Sequence, residues 1–167
     1  TCDDDSTCSA TNLNGVTNVV VTTIGGTTYA VLLAHDDKGI SIFDISNPSS
    51  PNQVGNMGSG GSQKLENAWG LAVAEFGGKT YAVVVAQASH SLALVDISDP
   101  TSLVYKDHIL NGDGEYHLNN PVSVAIATIS GTTYAVVTAA GETPDGIAII
   151  DISTDPTDLE YVGEMDD

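Results

Sequence analysis

The chain has 167 residues, of which 22 are acidic, four are lysines and none is arginine, and its formal net charge at pH 7 is −18. This balance argues against nucleic acid and anionic membranes as partners, because both are bound through basic surfaces. At 41% hydrophobic residues the chain is too apolar to be a disordered acidic tail and long enough for one domain with a core. No apolar run approaches the roughly 18 residues of a membrane-spanning helix, so we expect no membrane insertion.

The first segment, residues 1–15, is polar and acidic and contains both cysteines, Cys2 and Cys8. Two cysteines with no histidine beside them make a poor zinc site. A disulfide across this short loop is geometrically easy and would contribute about 2 kcal/mol to stability; the alternative is a pair of reduced thiols. We expect the disulfide, which implies an oxidising, extracellular or cell-surface location.

An internal repeat organises the chain after residue 15. The segment GGTTYAV at 25–31 returns as GGKTYAV at 77–83 and as SGTTYAV at 130–136. Downstream, FDISNP at 43–48 is echoed by VDISDP at 95–100 and, with one residue inserted, by IDISTDP at 150–156. Self-similarity at a fixed period is the mark of a repeat architecture. We therefore divide the chain into the segment 1–15 and three units of one domain, 16–67, 68–120 and 121–167.

Each unit predicts four strands in succession. The first is a near-continuous apolar run, such as 19–21 or 122–126, which is typical of a strand buried on both faces. A Gly-Gly or Ser-Gly pair then predicts a tight hairpin into a second apolar strand, 29–34 in the first unit. The third strand contains Ile40 and Ile42 and ends at Asp44, and a proline separates it from a shorter, more polar fourth strand at 53–57 or 103–109. No segment has a helical period, so we predict an all-β fold of three four-stranded antiparallel blades of β-propeller type.

The segments GISIFDISNP at 39–48 and SLALVDISDP at 91–100 resemble the LVIVD repeat of bacterial and archaeal surface proteins. The resemblance extends over all three units. It implies a β-propeller and an extracellular or cell-surface location, often within long multi-domain chains. It implies no reaction, because that family has no shared catalytic residues to carry over, and a fold alone does not define a function.

Two residue types recur once in every unit and are candidates for structural roles. They are the aspartates Asp44, Asp96 and Asp151 and the tyrosines Tyr29, Tyr81 and Tyr134. An aspartate at the end of a strand, just before a serine, can accept hydrogen bonds from the amides of the turn. We expect the tyrosine rings to pack between blades with their hydroxyl groups at the edge.

Candidate sites for chemistry are few. The loop 111–115 offers oxygen ligands at Asn111, Asp113 and Glu115, as calcium loops do, but it lacks the terminal bidentate Glu of an EF-hand and turn chemistry explains it equally well. Calcium there is the one candidate cofactor. The histidines lack metal-ligand spacing, and the glycine-rich loop 58–62 has no phosphate-binding lysine. For Trp69 we expect a core or inter-blade role rather than a sugar platform. We identify no catalytic residue and expect no enzyme.

Three blades leave an architectural problem that bears on function. Propeller rings close with about 4–8 blades, and an isolated wedge of three would expose two apolar sheet faces. We therefore expect a homo-oligomer or polymer, or further blades of the same chain. The function favoured is a non-enzymatic extracellular structural or adhesion module that assembles through its blade faces, as a filament or surface-layer subunit. The alternative is a propeller domain of a larger secreted protein that binds a sugar or calcium.

The disulfide between Cys2 and Cys8 is testable by intact-mass measurement. Reduction should raise the mass of the monomer by two hydrogen atoms and make both thiols available to alkylation, because the bond closes within one chain. A monomer whose mass is unchanged by reduction, or a bond found only in a cross-linked dimer, would contradict the prediction.

Overall fold

The structure is a computed structural model that describes residues 13–58, 63–112, 118–140 and 146–166. Over these ranges it contains twelve β-strands and no helix, so the described part of the chain holds no helix long and apolar enough to cross a membrane. The strands form three four-stranded antiparallel sheets, one in each repeat unit. The predicted all-β fold of three propeller-type blades is confirmed.

The strands of each blade are hydrogen-bonded in chain order, so each blade is a simple meander. Blade 1 contains β1 (Val16–Ile24), β2 (Thr27–Ala34), β3 (Gly39–Asp44) and β4 (Asn52–Gly58). Blade 2 contains β5 (Ala68–Phe76), β6 (Lys79–Ala86), β7 (Ser91–Asp96) and β8 (Val104–Leu110). Blade 3 contains β9 (Pro121–Ile129), β10 (Thr132–Ala139), β11 (Gly146–Asp151) and β12 (Glu160–Asp166).

A two-residue turn joins the first two strands of every blade. Gly25 and Gly26 have φ values of 58° and 86°, and blade 2 repeats the same pair of glycines. In blade 3 the turn uses Ser130 at 53° and Gly131 at 91°. These left-handed conformations suit glycine, and such turns match the right-handed twist of the flanking strands. The repeated glycines therefore set the hairpin that begins each blade.

The first strands of neighbouring blades lie side by side, β1 against β5 and β5 against β9. Gly70 on β5 permits the close approach of β9. A Cβ at Gly70 would lie 3.1 Å from the Cα of Ser123 and 3.2 Å from the carbonyl oxygen of Val122, so a side chain there would push the two strands apart. The blades consequently stack in chain order, with blade 2 between blades 1 and 3.

Blade 2 is apolar on both faces because each face packs against a neighbouring blade. On β6, Ala82 and Val84 belong to the core cluster shared with blade 1, and Val83 and Val85 belong to the cluster shared with blade 3. All four side chains are fully buried. Because residues alternate between the faces of a strand, a blade covered on both sides has a continuous apolar run.

In blades 1 and 3 the expected burial of the first strand on both faces is met on one face only. Val20 of β1 packs toward blade 2, but Val19 and Val21 on the opposite face are exposed. On β9, Val124 is buried against blade 2 while the neighbouring Ala125 is exposed. The physical reason is that each of these blades has one neighbour within the described structure.

The burial of Val83 between two blades can be measured. Val83→Ala should lower the free energy of unfolding by about 2 kcal/mol, because it removes two buried carbon atoms worth about 0.8 kcal/mol each and leaves a cavity. Val136→Ala, at the equivalent position of blade 3 where the side chain is partly exposed, should cost less than about 1 kcal/mol. Urea unfolding in dilute solution compares the two variants. Equal losses would contradict the proposed difference in packing.

Candidate functional site

The two ends of the blade stack are apolar sheet faces. We call the outer face of blade 1 the leading face, which carries Val19, Val21, Ala30, Leu32 and Phe43. We call the outer face of blade 3 the trailing face, which carries Ile129, Tyr134, Val136, Ile149 and Met165. Directly paired residues of adjacent strands share a face of the sheet, and this register places each set together. These two faces are the candidate partner-binding features of the described structure.

The leading face exposes apolar side chains whose counterparts in the other blades are buried. Val19 is 56% exposed, whereas the equivalent residues Leu71 of blade 2 and Val124 of blade 3 are 5% and 8% exposed against the preceding blade. Val21 is 60% exposed, yet its counterpart Val73 packs in the cluster between blades 1 and 2. The residues at both positions are aliphatic in all three blades, and what differs is the presence of a preceding blade.

The trailing face shows the same disparity in the opposite direction. Ile129 is 61% exposed at the end of β9, whereas its counterpart Ile24 packs against blade 2. Met165 is 66% exposed on β12, whereas its counterpart Met57 also packs against blade 2. In a water-exposed position these large apolar side chains gain nothing. On the trailing face, therefore, the positions that blade 1 uses for contact with the next blade carry exposed apolar side chains.

The leading and trailing faces are of opposite type, and every contact inside the stack joins one of each. Between blades 1 and 2, the trailing-type residues Val31 and Ile42 share a cluster with the leading-type residues Val84 and Val95. The same types of position meet again between blades 2 and 3. The two open faces are therefore of the same two types that meet at each internal interface.

The repeated aspartates lie at the turn that follows the third strand of each blade. In each case the Oδ1 atom accepts a hydrogen bond from the backbone N–H of the serine two residues later. The bonds are Asp44 to Ser46 at 2.8 Å, Asp96 to Ser98 at 3.0 Å and Asp151 to Ser153 at 2.9 Å. Such a bond fixes the turn without using a strand partner. In two blades the serine Oγ accepts in turn from a backbone N–H on the second strand, at Thr80 and Thr133.

The residue inserted in the third repeat, Thr154, is held by the same aspartate. Its backbone N–H donates to Asp151 Oδ1 at 3.0 Å, and its Oγ1 donates to Asp151 Oδ2 at 2.5 Å. Burial alone would raise the pKa of Asp151, but the hydrogen bonds from Thr154 and Ser153 outweigh it and hold the pKa below its ordinary value. The carboxylate therefore stabilises the longer turn in its ionised form.

Blade 2 adds an ion pair to this turn. Lys79 Nζ lies 2.6 Å from the buried Asp96 Oδ2, and Lys106 Nζ lies 3.9 Å from the same atom. Burial alone would raise the pKa of Asp96, but the bonds from Lys79 and Ser98 lower it below its ordinary value. The hydrogen bond to Asp96 correspondingly raises the pKa of Lys79. Both groups stay charged near neutral pH, so the pair stabilises the blade instead of exchanging a proton.

The repeated tyrosines occupy equivalent positions with different surroundings. Tyr29 packs against the cluster between blades 1 and 2. Tyr81 is buried in the cluster between blades 2 and 3 and stacks on Phe76, with ring centroids 4.2 Å apart and an angle of 12°. Burial raises the pKa of Tyr81. Tyr134 lies partly exposed on the trailing face. Of the three rings only Tyr81 is buried, and Tyr29, like Tyr134, is partly exposed.

Trp69, at the start of β5, contacts the neighbouring blade while remaining partly exposed. The edge of its ring meets His35 of blade 1, with centroids 5.3 Å apart, and its carbonyl oxygen accepts from the side chain of Asn18 at 3.4 Å. The side chain thus lies at a junction between blades.

Several sequence-predicted site residues lie outside the described residues: Cys2, Cys8, Asp113 and Glu115. Asn111 is described, and its Oδ1 accepts from the backbone N–H of Leu118 at 3.1 Å while its own N–H donates to the carbonyl oxygen of His90 at 2.8 Å. Among the described residues, no group of three or more His, Cys, Asp or Glu side chains could hold a metal ion. The disulfide and the calcium site stay predictions.

A cavity of about 600 Å³ opens beside the turn of blade 3. Its lining mixes acidic and apolar residues, among them Asp151, Asp155, Asp158, Ile109 and Tyr161. Asp155 uses its carboxylate to accept from the N–H and hydroxyl of Thr157, at 2.9 and 2.7 Å. The carboxylates of Asp151 and Asp155 that line this cavity are engaged in hydrogen bonds within the turn.

Sequence reasoning missed Lys79, Ile129 and Met165 as residues of interest. Lys79 was visible as the single lysine among hairpins that otherwise carry threonine at this position. Ile129 and Met165 become informative only when the strands are aligned by register, because the exposure of one copy must be compared with the burial of the others.

Residues 29–58 and 68–110 match the family model described as LVIVD repeat. The first match runs from within β2 to the end of β4, and the second covers all four strands of blade 2. Blade 3 has the same strand order outside the matched ranges. No curated protein matches the chain.

The aspartate turn can be tested in blade 3. Asp151→Ala should lower the free energy of unfolding by about 1–3 kcal/mol at neutral pH, because it leaves two backbone donors of the turn without their acceptor. Asp158→Ala, which removes an exposed carboxylate of the same loop, should change stability by less than about 0.5 kcal/mol. Urea unfolding of both variants measures the difference.

The cost of Asp151→Ala should also depend on pH. The pKa of Asp151 is lowered in the folded state, so its contribution is present above the unfolded pKa of about 3.9 and is lost as the pH falls through the lower folded value. The stability gap between wild type and variant should narrow as the pH falls below about 4. A gap that stays constant into strong acid would contradict an ionised, hydrogen-bonded Asp151.

Proposed function

We propose that this chain, an LVIVD-repeat protein with three propeller-type blades, is a non-enzymatic extracellular structural module that assembles through its two end faces. The observation that carries the proposal is the exposure, on the leading and trailing faces, of apolar side chains whose counterparts are buried between blades. Assembly gives these side chains the neighbours that the internal blades already have.

The size of the hydrophobic contribution supports assembly. Fully burying one large aliphatic side chain is worth about 1.5–3 kcal/mol. The two end faces together carry ten apolar residues that are partly or largely exposed. Because these side chains are already partly covered in the single chain, burying each one in a contact between copies contributes roughly half of this free energy. The sum is on the order of 10 kcal/mol, which is comparable with the cost of about 4–15 kcal/mol for losing translational and rotational freedom. Association should therefore require moderate concentrations.

The contact is head-to-tail because the two faces differ. A heterologous contact generates a closed ring if the rotation between copies closes and an open polymer if it does not. Two copies of three blades fall within the range of about 4–8 blades in closed propellers. The same contact repeated without closure gives a filament or a surface layer. Both a closed ring and an open polymer bury the leading face of one copy against the trailing face of the next.

Charge shapes the conditions for assembly. Each chain carries a formal net charge of −18, so copies repel each other at low ionic strength. Salt screens exposed charges beyond about 8–10 Å at 0.1–0.15 M, whereas the hydrophobic contact is not weakened. Assembly should consequently strengthen as salt is added, opposite to a contact built on ion pairs.

The proposed role outside the cell and without catalysis rests on different observations. The spacing of Cys2 and Cys8 suits a disulfide, which persists in oxidising compartments. The buried carboxylates Asp96 and Asp151 are engaged in turn hydrogen bonds and an ion pair, which is a structural use of acidic side chains.

Sedimentation velocity of the full chain tests the proposal. Wild type should pass from monomer to larger species as the concentration rises through the micromolar range, and more readily at higher salt. Val21→Glu on the leading face and Val136→Glu on the trailing face should each abolish association, because a charge would be buried in an apolar contact.

Val104→Glu is the matched control, since Val104 is an exposed valine on β8 of the middle blade, away from both end faces. It should associate like wild type. Circular dichroism should show all three variants folded, because each replaced side chain is at least partly exposed in the single chain. A wild type that stays a folded monomer at all concentrations and salts would overturn the proposal.

A further inference from the structure

The fourth strand of blade 1 makes a close contact with the turn of blade 2. A Cβ at Gly55 of β4 would overlap the carbonyl oxygen of Pro100 and lie 2.9 Å from Leu103 Cδ1. Pro100 and Leu103 belong to the loop that follows the aspartate turn of blade 2, between β7 and β8. Glycine is therefore required at Gly55 because the next blade's loop rests directly on the backbone.

The same strand position in blade 2 receives the corresponding loop of blade 3. Asp107 pairs with Leu94 as Gly55 pairs with Ile42, so the two positions are equivalent. Here the carboxylate Oδ2 of Asp107 accepts a hydrogen bond from the backbone N–H of Leu159 at 3.0 Å. In both internal interfaces, then, the fourth strand of one blade holds the loop after the third strand of the next.

Blade 3 carries glycine at this position with nothing resting on it. Gly163 pairs with Ile149 in the same register, and a Cβ built there meets no atom within 4 Å. Its φ is not among the positive values of the chain, so the local backbone does not need glycine either. Gly163 therefore corresponds to Gly55, but no loop of a following blade rests on it.

The loop of blade 1 has the features of the missing occupant. Pro48 stands where Pro100 stands in blade 2, and Pro51 stands at the position of Leu103 and Leu159. The loop is exposed throughout. Proline has no N–H to donate, so the loop of blade 1 cannot make the bond that Leu159 makes to Asp107. The loop of blade 1 therefore fits against a glycine, which offers no side-chain acceptor, and Gly163 is such a position.

We propose that Gly163 is the docking point for the loop 47–51 of a second copy of this chain, at the head-to-tail contact between trailing and leading faces. The inference rests on the proposed function, because it takes assembly as given, and it adds the contact that sets the alignment of the two copies. The carbonyl oxygen of Pro48 of one copy lies against the backbone at Gly163 of the other. The apolar faces meet beside this point.

Gly163→Leu tests the docking point. The substitution should leave the single chain as stable as wild type, because the space around Gly163 is open. It should weaken association by about tenfold or more, since the added side chain occupies the place of the incoming loop and a loss of 1.4 kcal/mol is already tenfold. Ser102→Leu adds the same side chain at an exposed position of the middle blade and should associate like wild type.

Each outcome of the sedimentation experiment separates the two proposals. Association of wild type and Ser102→Leu but not of Gly163→Leu supports the docking point. Equal association of all three overturns the docking point and leaves assembly through the end faces standing. A wild type that remains monomeric overturns both.

Cross-linking gives a test that does not depend on the stability of Gly163→Leu. In chains with Cys2 and Cys8 replaced by serine, one population carries Val162→Cys, at the exposed residue beside Gly163, and another carries Ser49→Cys; Gly163 itself is kept, because a Cβ there would block the incoming loop. Mixing them with a short thiol-specific cross-linker should give linked dimers, whereas each population alone should not. Linked dimers in either single population, or none in the mixture at concentrations where the chain associates, would overturn the docking point.

Discussion

The structure depends on one constraint: the sheet of a propeller blade is apolar on both faces, so it needs a neighbour on each. Blade 2 meets the constraint completely, with Val83 turned toward one neighbour and Val84 toward the other. Blades 1 and 3 meet it on one face each. The burial pattern, the exposed residues at both ends and the proposed assembly all follow from the same unmet requirement, because apolar surface is stabilised only when water is removed from it.

The fold could be predicted from the sequence because its signals are local and repeated. The paired glycines mark each hairpin, the prolines separate the third and fourth strands, and the apolar runs distinguish inner strands from outer ones. The identity of the exposed positions could not be predicted, since Val19 and Leu71 are equally apolar and only the position of their blade decides their exposure. The sequence of a repeat shows which of its faces are apolar, whereas the exposure of those faces depends on whether another blade lies against them.

The candidate site was predictable to a smaller extent, for a related reason. The aspartate turns follow from residue type and spacing, since an aspartate can accept from the amide two residues on. The ion pair of Asp96 with Lys79 joins residues from different strands, and it depends on the register between β6 and β7. The role of Gly55 depends on a loop from the next blade. Such contacts are set by the stacking of blades, which the local pattern does not specify.

The difference between Gly55 and Asp107 means that the loops of successive blades are not interchangeable at the two internal junctions. Repeat proteins are prone to misassembly when one unit takes the place of another. If the loop of blade 1 lay against blade 2, Pro51 would face the carboxylate of Asp107 but has no backbone N–H to donate. If the loop of blade 3 settled on blade 1, Leu159 would find no acceptor at Gly55. Small departures from perfect repetition thus make the two junctions between neighbouring blades chemically different from each other.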